Sequence, residues 1–119
     1  MAEHNKLGID AEKMAAAWLK QNGYEILHQN WRHSYFEIDI IAKKEQFLHF
    51  IEVKARTSAQ FGHPEEQVGK KKFKNMQRAA DQYLFLNPGN KWIQFSILSI
   101  TLVKGKEPEF FLLKDVYLK

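Results

Sequence analysis

The sequence contains no cysteine. That excludes disulfides, thiolate metal sites and a cysteine nucleophile. No apolar run approaches the roughly 20 residues that a membrane span needs. The residues from Met1 to Lys6 have no apolar segment behind them, so no secretory signal is expected. A soluble cytoplasmic protein without a membrane partner is the expectation. There is no internal repeat, no low-complexity tract, no glycine-rich phosphate loop and no nucleophile motif. Glycine and proline are scarce, at 6 and 3 copies, and act as punctuation: Gly23, Gly62–Pro64, Asn87–Asn90 and Gly105–Pro108.

What is present is material for one packed core. The chain has 119 residues, of which 45% are apolar, with 9 Phe, 4 Tyr and 3 Trp. Residues 1–119 are expected to form a single domain. Charged residues are 27%, ordinary for a globular protein. The net charge is +4 and the pI about 9.3. A basic domain suits a polyanionic partner, nucleic acid or an anionic surface.

Periodicity gives the elements. Leu7, Ala11, Met14, Ala15, Trp18 and Leu19 form one apolar stripe, predicting a helix over about 5–22 that stops at Gly23. Residues 24–32 read as a strand. Residues 35–43 and 46–55 read as a strand pair turning tightly near Glu45-Gln46. Residues 65–86 read as a second helix, opened by Pro64 and two glutamates that suit the positive end of its dipole. Gly69 falls in its first turn. Trp92 to Val103 reads as a long strand buried on both faces, and 109–114 as a last short one. Helix, three strands, helix, two strands is an α/β order, a mixed sheet flanked by helices.

The chemistry sits in the predicted hairpin. Glu52 and Lys54 alternate onto one face of their strand, about 7 Å apart. A turn centred on Glu45-Gln46 sets Asp39 opposite Glu52 and Glu37 opposite Lys54, with Cβ atoms about 4.5–5.5 Å apart. Two carboxylates so placed can grip one hard divalent cation, Mg²⁺ or Mn²⁺. Without a cation the pair should be unfavourable, because like charges directly opposite destabilise a sheet. Both acids lie in apolar strands, Ile38-Asp39-Ile40-Ile41 and Phe50-Ile51-Glu52-Val53. The competing reading is an exposed face on which Lys54 pairs with Glu37 and Asp39. A register slip of one residue would also put the two acids on opposite faces.

Glu12 borders the apolar stripe of the first helix and could reach the same site; otherwise it is an ordinary flanking glutamate. On the second helix, Lys70, Lys71, Lys74 and Arg78 fall on the outer face, as a phosphate-binding cluster or a solvated one. Lys72 falls within the stripe of Val68, Met76, Ala79 and Tyr83. It needs an anion to meet, or a route for its head to water. The histidines at 4, 28, 33, 49 and 63 lack metal-ligand spacing, though His49 and His63 could approach the site.

These residues resemble a known pattern. Asp39 followed by Glu52-Val53-Lys54 resembles the signature of the PD-(D/E)xK nucleases, a superfamily that includes restriction enzymes and archaeal Holliday-junction resolvases. More narrowly, the chain is similar to the small bacterial YraN-like family. The likeness runs through Gly8, Glu12, Ala15, Leu19, Gly23-Tyr24, Ile26, Asn30-Trp31-Arg32, Glu37-Ile38-Asp39, Phe50-Ile51-Glu52-Val53-Lys54-Ala55-Arg56, Val68 and Lys72. The chain departs from it at Ala11, at Phe36 where glycine is usual, at Ile38 in place of proline and at Ser96 where aspartate is common. None of these removes an implied catalytic residue.

The resemblance implies a restriction-endonuclease-like αβββαβ core. It implies a catalytic set of Asp39, Glu52 and Lys54, and metal ligands Glu12, Asp39 and Glu52 for Mg²⁺ or Mn²⁺. The expected partner is DNA, branched or damaged DNA included, contacted by Arg32, Arg56, Lys70, Lys71 and Lys72. The expected function is a metal-dependent endonuclease hydrolysing DNA phosphodiester bonds. The alternatives are a non-catalytic nucleic-acid-binding module or assembly subunit, and a protein-interaction domain. Enzymes of this size often use two copies for two strands, so a homodimer is among the expected states.

Overall fold

The computed structural model describes residues 2–57, 70–89 and 92–114, without the side chains of 2–9, 70 and 72. Helix α1 spans Ala2–Gln21. It is followed by strands β1 (Glu25–His33), β2 (Phe36–Lys44) and β3 (Phe47–Arg56), helix α2 (Lys70–Leu86), and strands β4 (Trp92–Thr101) and β5 (Glu109–Leu113). The strands form one sheet in the order β1-β2-β3-β4-β5. Only the β3–β4 pair is parallel; α2 lies in the connection between these strands. This is the expected mixed α/β sheet, and its first six elements give the αβββαβ order. Among the described residues no helix is long and apolar enough to cross a membrane.

Small and branched side chains fix the layering. Ala11, Ala15, Ala16 and Leu19 of α1 pack on Ile40, Ala42, Ile51, Leu98 and Ile100. Ala79, Ala80 and Tyr83 of α2 pack on Ile41, Leu48 and Phe50 from the other side, and Phe73 covers Ile97. Alanines let each helix approach the sheet closely, and the strands alternate between the two cores. β4 departs from the expectation of burial on both faces. Ser96 to Ile100 are buried, Ile93 and Phe95 pack in part against the α2 core, and Trp92 at the start of the strand is 58% exposed.

The ends of α1 and of the β2–β3 hairpin follow local chemistry. The Tyr24 N–H donates to the Leu19 carbonyl at 2.9 Å and the Gly23 N–H to Lys20 at 3.2 Å. Gly23 has φ 89°. This is the paired C-terminal closure that uses a left-handed residue, with Tyr24 and Leu19 together in the core. Burial pushes the Tyr24 phenol up, and Glu45 adds to it. The hairpin turns at Glu45-Gln46 as expected, with Glu45 at φ 57°. The expected start of α2 over 65–69, with Pro64 and Gly69, lies outside the described residues.

Gly23→Ala should therefore destabilise the protein by about 1 kcal/mol, the left-handed penalty less the entropy glycine loses. The Cβ itself has room, its nearest neighbour being Lys44 Cε at 3.5 Å. Urea denaturation measures this; an unchanged midpoint would refute it.

Candidate active site

Strands β2 and β3 pair from Lys44↔Phe47 to Ile40↔Ile51, in the register the sequence predicts. The ladder then stops one residue short of the acids. The Val53 N–H, which points toward β2, donates to Asp39 Oδ2 at 2.8 Å instead of to a backbone carbonyl. β3 stays in the sheet, pairing with β4 as far as Arg56↔Thr101. β2 stays with β1 as far as His33↔Phe36. The β1–β2 hairpin as a unit therefore leaves β3 at Asp39. The side chains record the break: Ile40 belongs to the α1 core, but Ile38 and Ile41 both belong to the α2 core. Strict alternation would put 38 and 41 on opposite faces.

The parting opens a cleft of about 750 Å³ on the α2 side. Tyr35, Phe36 and Glu37 bound it from the hairpin, Glu52 from β3, and Lys71, Asn75, Met76 and Arg78 from α2. Because Ile51, Val53 and Ala55 face α1, Glu52 and Lys54 share the opposite face. The Lys54 ammonium lies 3.7 Å from Glu52 Oε1, with the two side chains only 25% and 14% exposed. At that burial a carboxylate needs a nearby cation. Behind the cleft, Tyr83 stands edge-on to Trp31, with ring centroids 5.4 Å apart, and to Phe50, at 5.8 Å. Burial pushes its phenol up.

Two expected pairings are corrected. Asp39 meets β3 through the Val53 N–H, not as a ladder partner of Glu52. Lys54 pairs with Glu52, whereas Glu37 pairs with Arg32, at 3.7 Å between exposed side chains. Both follow from the departure of β2, which carries Glu37 away from Lys54. Glu12 is half-buried on α1, the helix that packs on the other face of the sheet. Among the described residues no three acidic or histidine side chains gather into a metal-binding group. Arg56 is half-buried at the end of β3 and Lys71 is exposed at the cleft. Lys70 and Lys72 belong to α2, but their side chains are outside the description, as is all of His63. His49 packs against Tyr24 on the α1 side, 5.0 Å between centroids, and so away from Glu52.

Sequence reasoning grouped Lys71 and Arg78 in an outer-face cluster but missed Asn75 and the cleft that the three line. Their spacing of four and three residues is a polar stripe along one flank of α2. Nothing in the spacing says that this flank meets Glu52. Tyr35 was also missed, although an aromatic residue beside a serine at a hairpin tip is visible in the sequence.

Residues 11–100 match the model of the uncharacterised protein family UPF0102. The chain belongs to that family. A UPF0102 protein of Bacteroides thetaiotaomicron is 45% identical over 100 residues, covering 84% of this chain and 83% of its own. One of Chlorobium phaeobacteroides is 42% identical over 109 residues, 91% of this chain and 86% of its own. The likeness to a small bacterial YraN-like family is thus borne out. The match runs from Ala11 to Ile100, so it includes every cleft residue and excludes β5.

Asp39 carries a structural duty besides any chemical one. Asp39→Ala would leave the Val53 N–H without its acceptor and cost about 1–3 kcal/mol. Asp39→Asn retains an amide oxygen for the bond and should lose less. Comparing the two by urea denaturation checks this, and equal stabilities would contradict it.

Proposed function

We propose that the chain is a nucleic-acid-binding protein that acts as a metal-dependent endonuclease, hydrolysing DNA phosphodiester bonds. The observation that carries this reading is the parting of β2 and β3. It sets Asp39 against the Val53 N–H and leaves Glu52, ion-paired with Lys54, lining a cleft that Lys71 and Arg78 also line.

The donor set fits Mg²⁺ or Mn²⁺. Asp39 and Glu52 offer hard carboxylate oxygens from neighbouring strands, and Mg²⁺ takes one or two protein carboxylates while keeping several waters. Bound there, the ion would supply a water of lowered pKa and offset charge on the phosphate. The chain's own residues do the rest. The bond from Val53 holds the Asp39 carboxylate at a fixed place. The Lys54 ammonium, beside Glu52, offsets negative charge developing at the phosphate and orients the attacking water. Lys71 and Arg78, with Arg32, Arg56, Lys70 and Lys72 as further candidates, hold the backbone. Glu12, on the helix that packs on the other face of the sheet, is the outlying member of the ligand set.

A second reading, a binding module without catalysis, draws on one observation. Asp39 and Glu52 each already have a partner within the chain. It predicts DNA binding that persists without Mg²⁺ and weakens steeply with salt.

Calorimetric titration of Mn²⁺ and Mg²⁺, with and without a short DNA duplex, separates the two. Binding to the wild type, lost in an Asp39→Asn, Glu52→Gln double variant and weakened less in Glu12→Gln, supports the metal site. On a cleaved DNA, Lys54→Ala should then reduce kcat by on the order of 10²-fold. Absence of metal binding by the wild type, even with DNA, would overturn the catalytic reading.

A further inference from the structure

We infer that the cleft takes an unpaired nucleotide of single-stranded DNA, its base stacked on Tyr35 and its phosphate held by Lys71 and Arg78. This deepens the nucleic-acid reading of the cleft and rests on it. Tyr35 is 98% exposed, while it lines the same cleft as Glu52. The pairing His33↔Phe36 makes Ser34-Tyr35 a two-residue turn, and Ser34 takes φ 58°. The ring therefore projects from the tip of a short turn, with the Arg32–Glu37 pair behind it. Phe36, half-buried and lining the cleft, extends the aromatic wall.

A lone exposed aromatic is ordinary on a protein surface. What decides here is what shares the cleft with it. Lys71, Asn75 and Arg78 bound the same cleft from α2. Aromatic and cationic side chains lining one cleft match the two halves of a nucleotide, an apolar base face and an anionic phosphate. Asn75 adds an amide able to meet a base edge. A volume of about 750 Å³ is of small-ligand size. A base within a duplex has both faces covered by its neighbours and can offer one to Tyr35 only by leaving the stack. An unpaired base offers its face at no such cost. Single-stranded DNA is thus the favoured ligand over intact duplex.

The test uses the full chain, with EDTA present so that no cleavage intervenes. The probes are a 12-nucleotide single strand with one central 2-aminopurine and a blunt duplex of the same length. The single strand should bind more tightly than the duplex, and stacking should quench the 2-aminopurine fluorescence. Tyr35→Ala should remove the quench and weaken single-strand binding about tenfold, toward the duplex value. Tyr35→Trp should keep both. Equal affinity for the two DNAs, or an unchanged single-strand affinity in Tyr35→Ala, would overturn the inference. The catalytic reading is judged separately by the metal titration. A protein that stacks the base but binds no metal keeps this inference and loses that reading; one that binds metal and cuts duplex regardless of Tyr35 does the reverse. Binding to neither DNA overturns this inference and leaves the catalytic reading to the metal titration.

Discussion

The hydrogen bond from the Val53 N–H to Asp39 governs the layout around it. In a continuous antiparallel pair that N–H would meet a carbonyl of β2. A carboxylate takes the carbonyl's place, so β2 moves away from β3 without leaving a buried donor unsatisfied. The opening needs such a substitute, because an orphaned N–H at this part-buried position would cost about 1–3 kcal/mol. One side chain thus ends the ladder, satisfies the exposed backbone and is itself fixed in place. The positions of Phe36 and Glu37, and the room for the cleft, follow from that separation.

β3 can serve as the fixed side because it is held from the other direction. Its parallel pairing with β4 runs its whole length, from Phe47↔Trp92 to Arg56↔Thr101. Ile51 and Phe50 are fully buried on opposite faces, under α1 and α2. Glu52 and Lys54 therefore stand on a strand that is fully paired on one side and packed on both faces. Among the described residues, the hairpin that carries Tyr35 is paired only within itself at that end. The fixed strand carries the Glu52–Lys54 pair, and the hairpin that bounds the same cleft has fewer constraints.

The sequence made the repeating parts legible, and the structure departs from it where repetition fails. Gly23 marks the end of α1 because only a left-handed residue closes that turn without strain, and the chain closes there. The Glu45-Gln46 turn fixes the register, which holds over five pairs. The alternation of Glu52 with Ile51 and Val53 puts Glu52 and Lys54 together. Asp39 is where the rule breaks, since a period of two assumes a continuous strand and says nothing of a side chain replacing a backbone acceptor. The helices raise a different problem. A helical wheel finds the buried stripe of α2, yet which flank meets Glu52 depends on how the helix lies across the sheet. The same holds for Glu12, whose place at the edge of a stripe left open which face of the sheet α1 would cover.

The charges around the cleft bear on how its occupants would combine. Asp39, Glu37 and Glu52 are acidic; Lys54, Lys71 and Arg78 are basic. A phosphate drawn in by Lys71 and Arg78 meets the repulsion of the carboxylates, and a divalent cation at the carboxylates meets that of the ammonium groups. Each ligand supplies the charge that the other's site lacks. On the proposed reading, metal and DNA would bind with positive coupling. That coupling must be reciprocal: whatever factor the metal adds to DNA affinity, DNA adds to metal affinity. On that reading, a site so balanced would hold either ligand weakly alone and both together well.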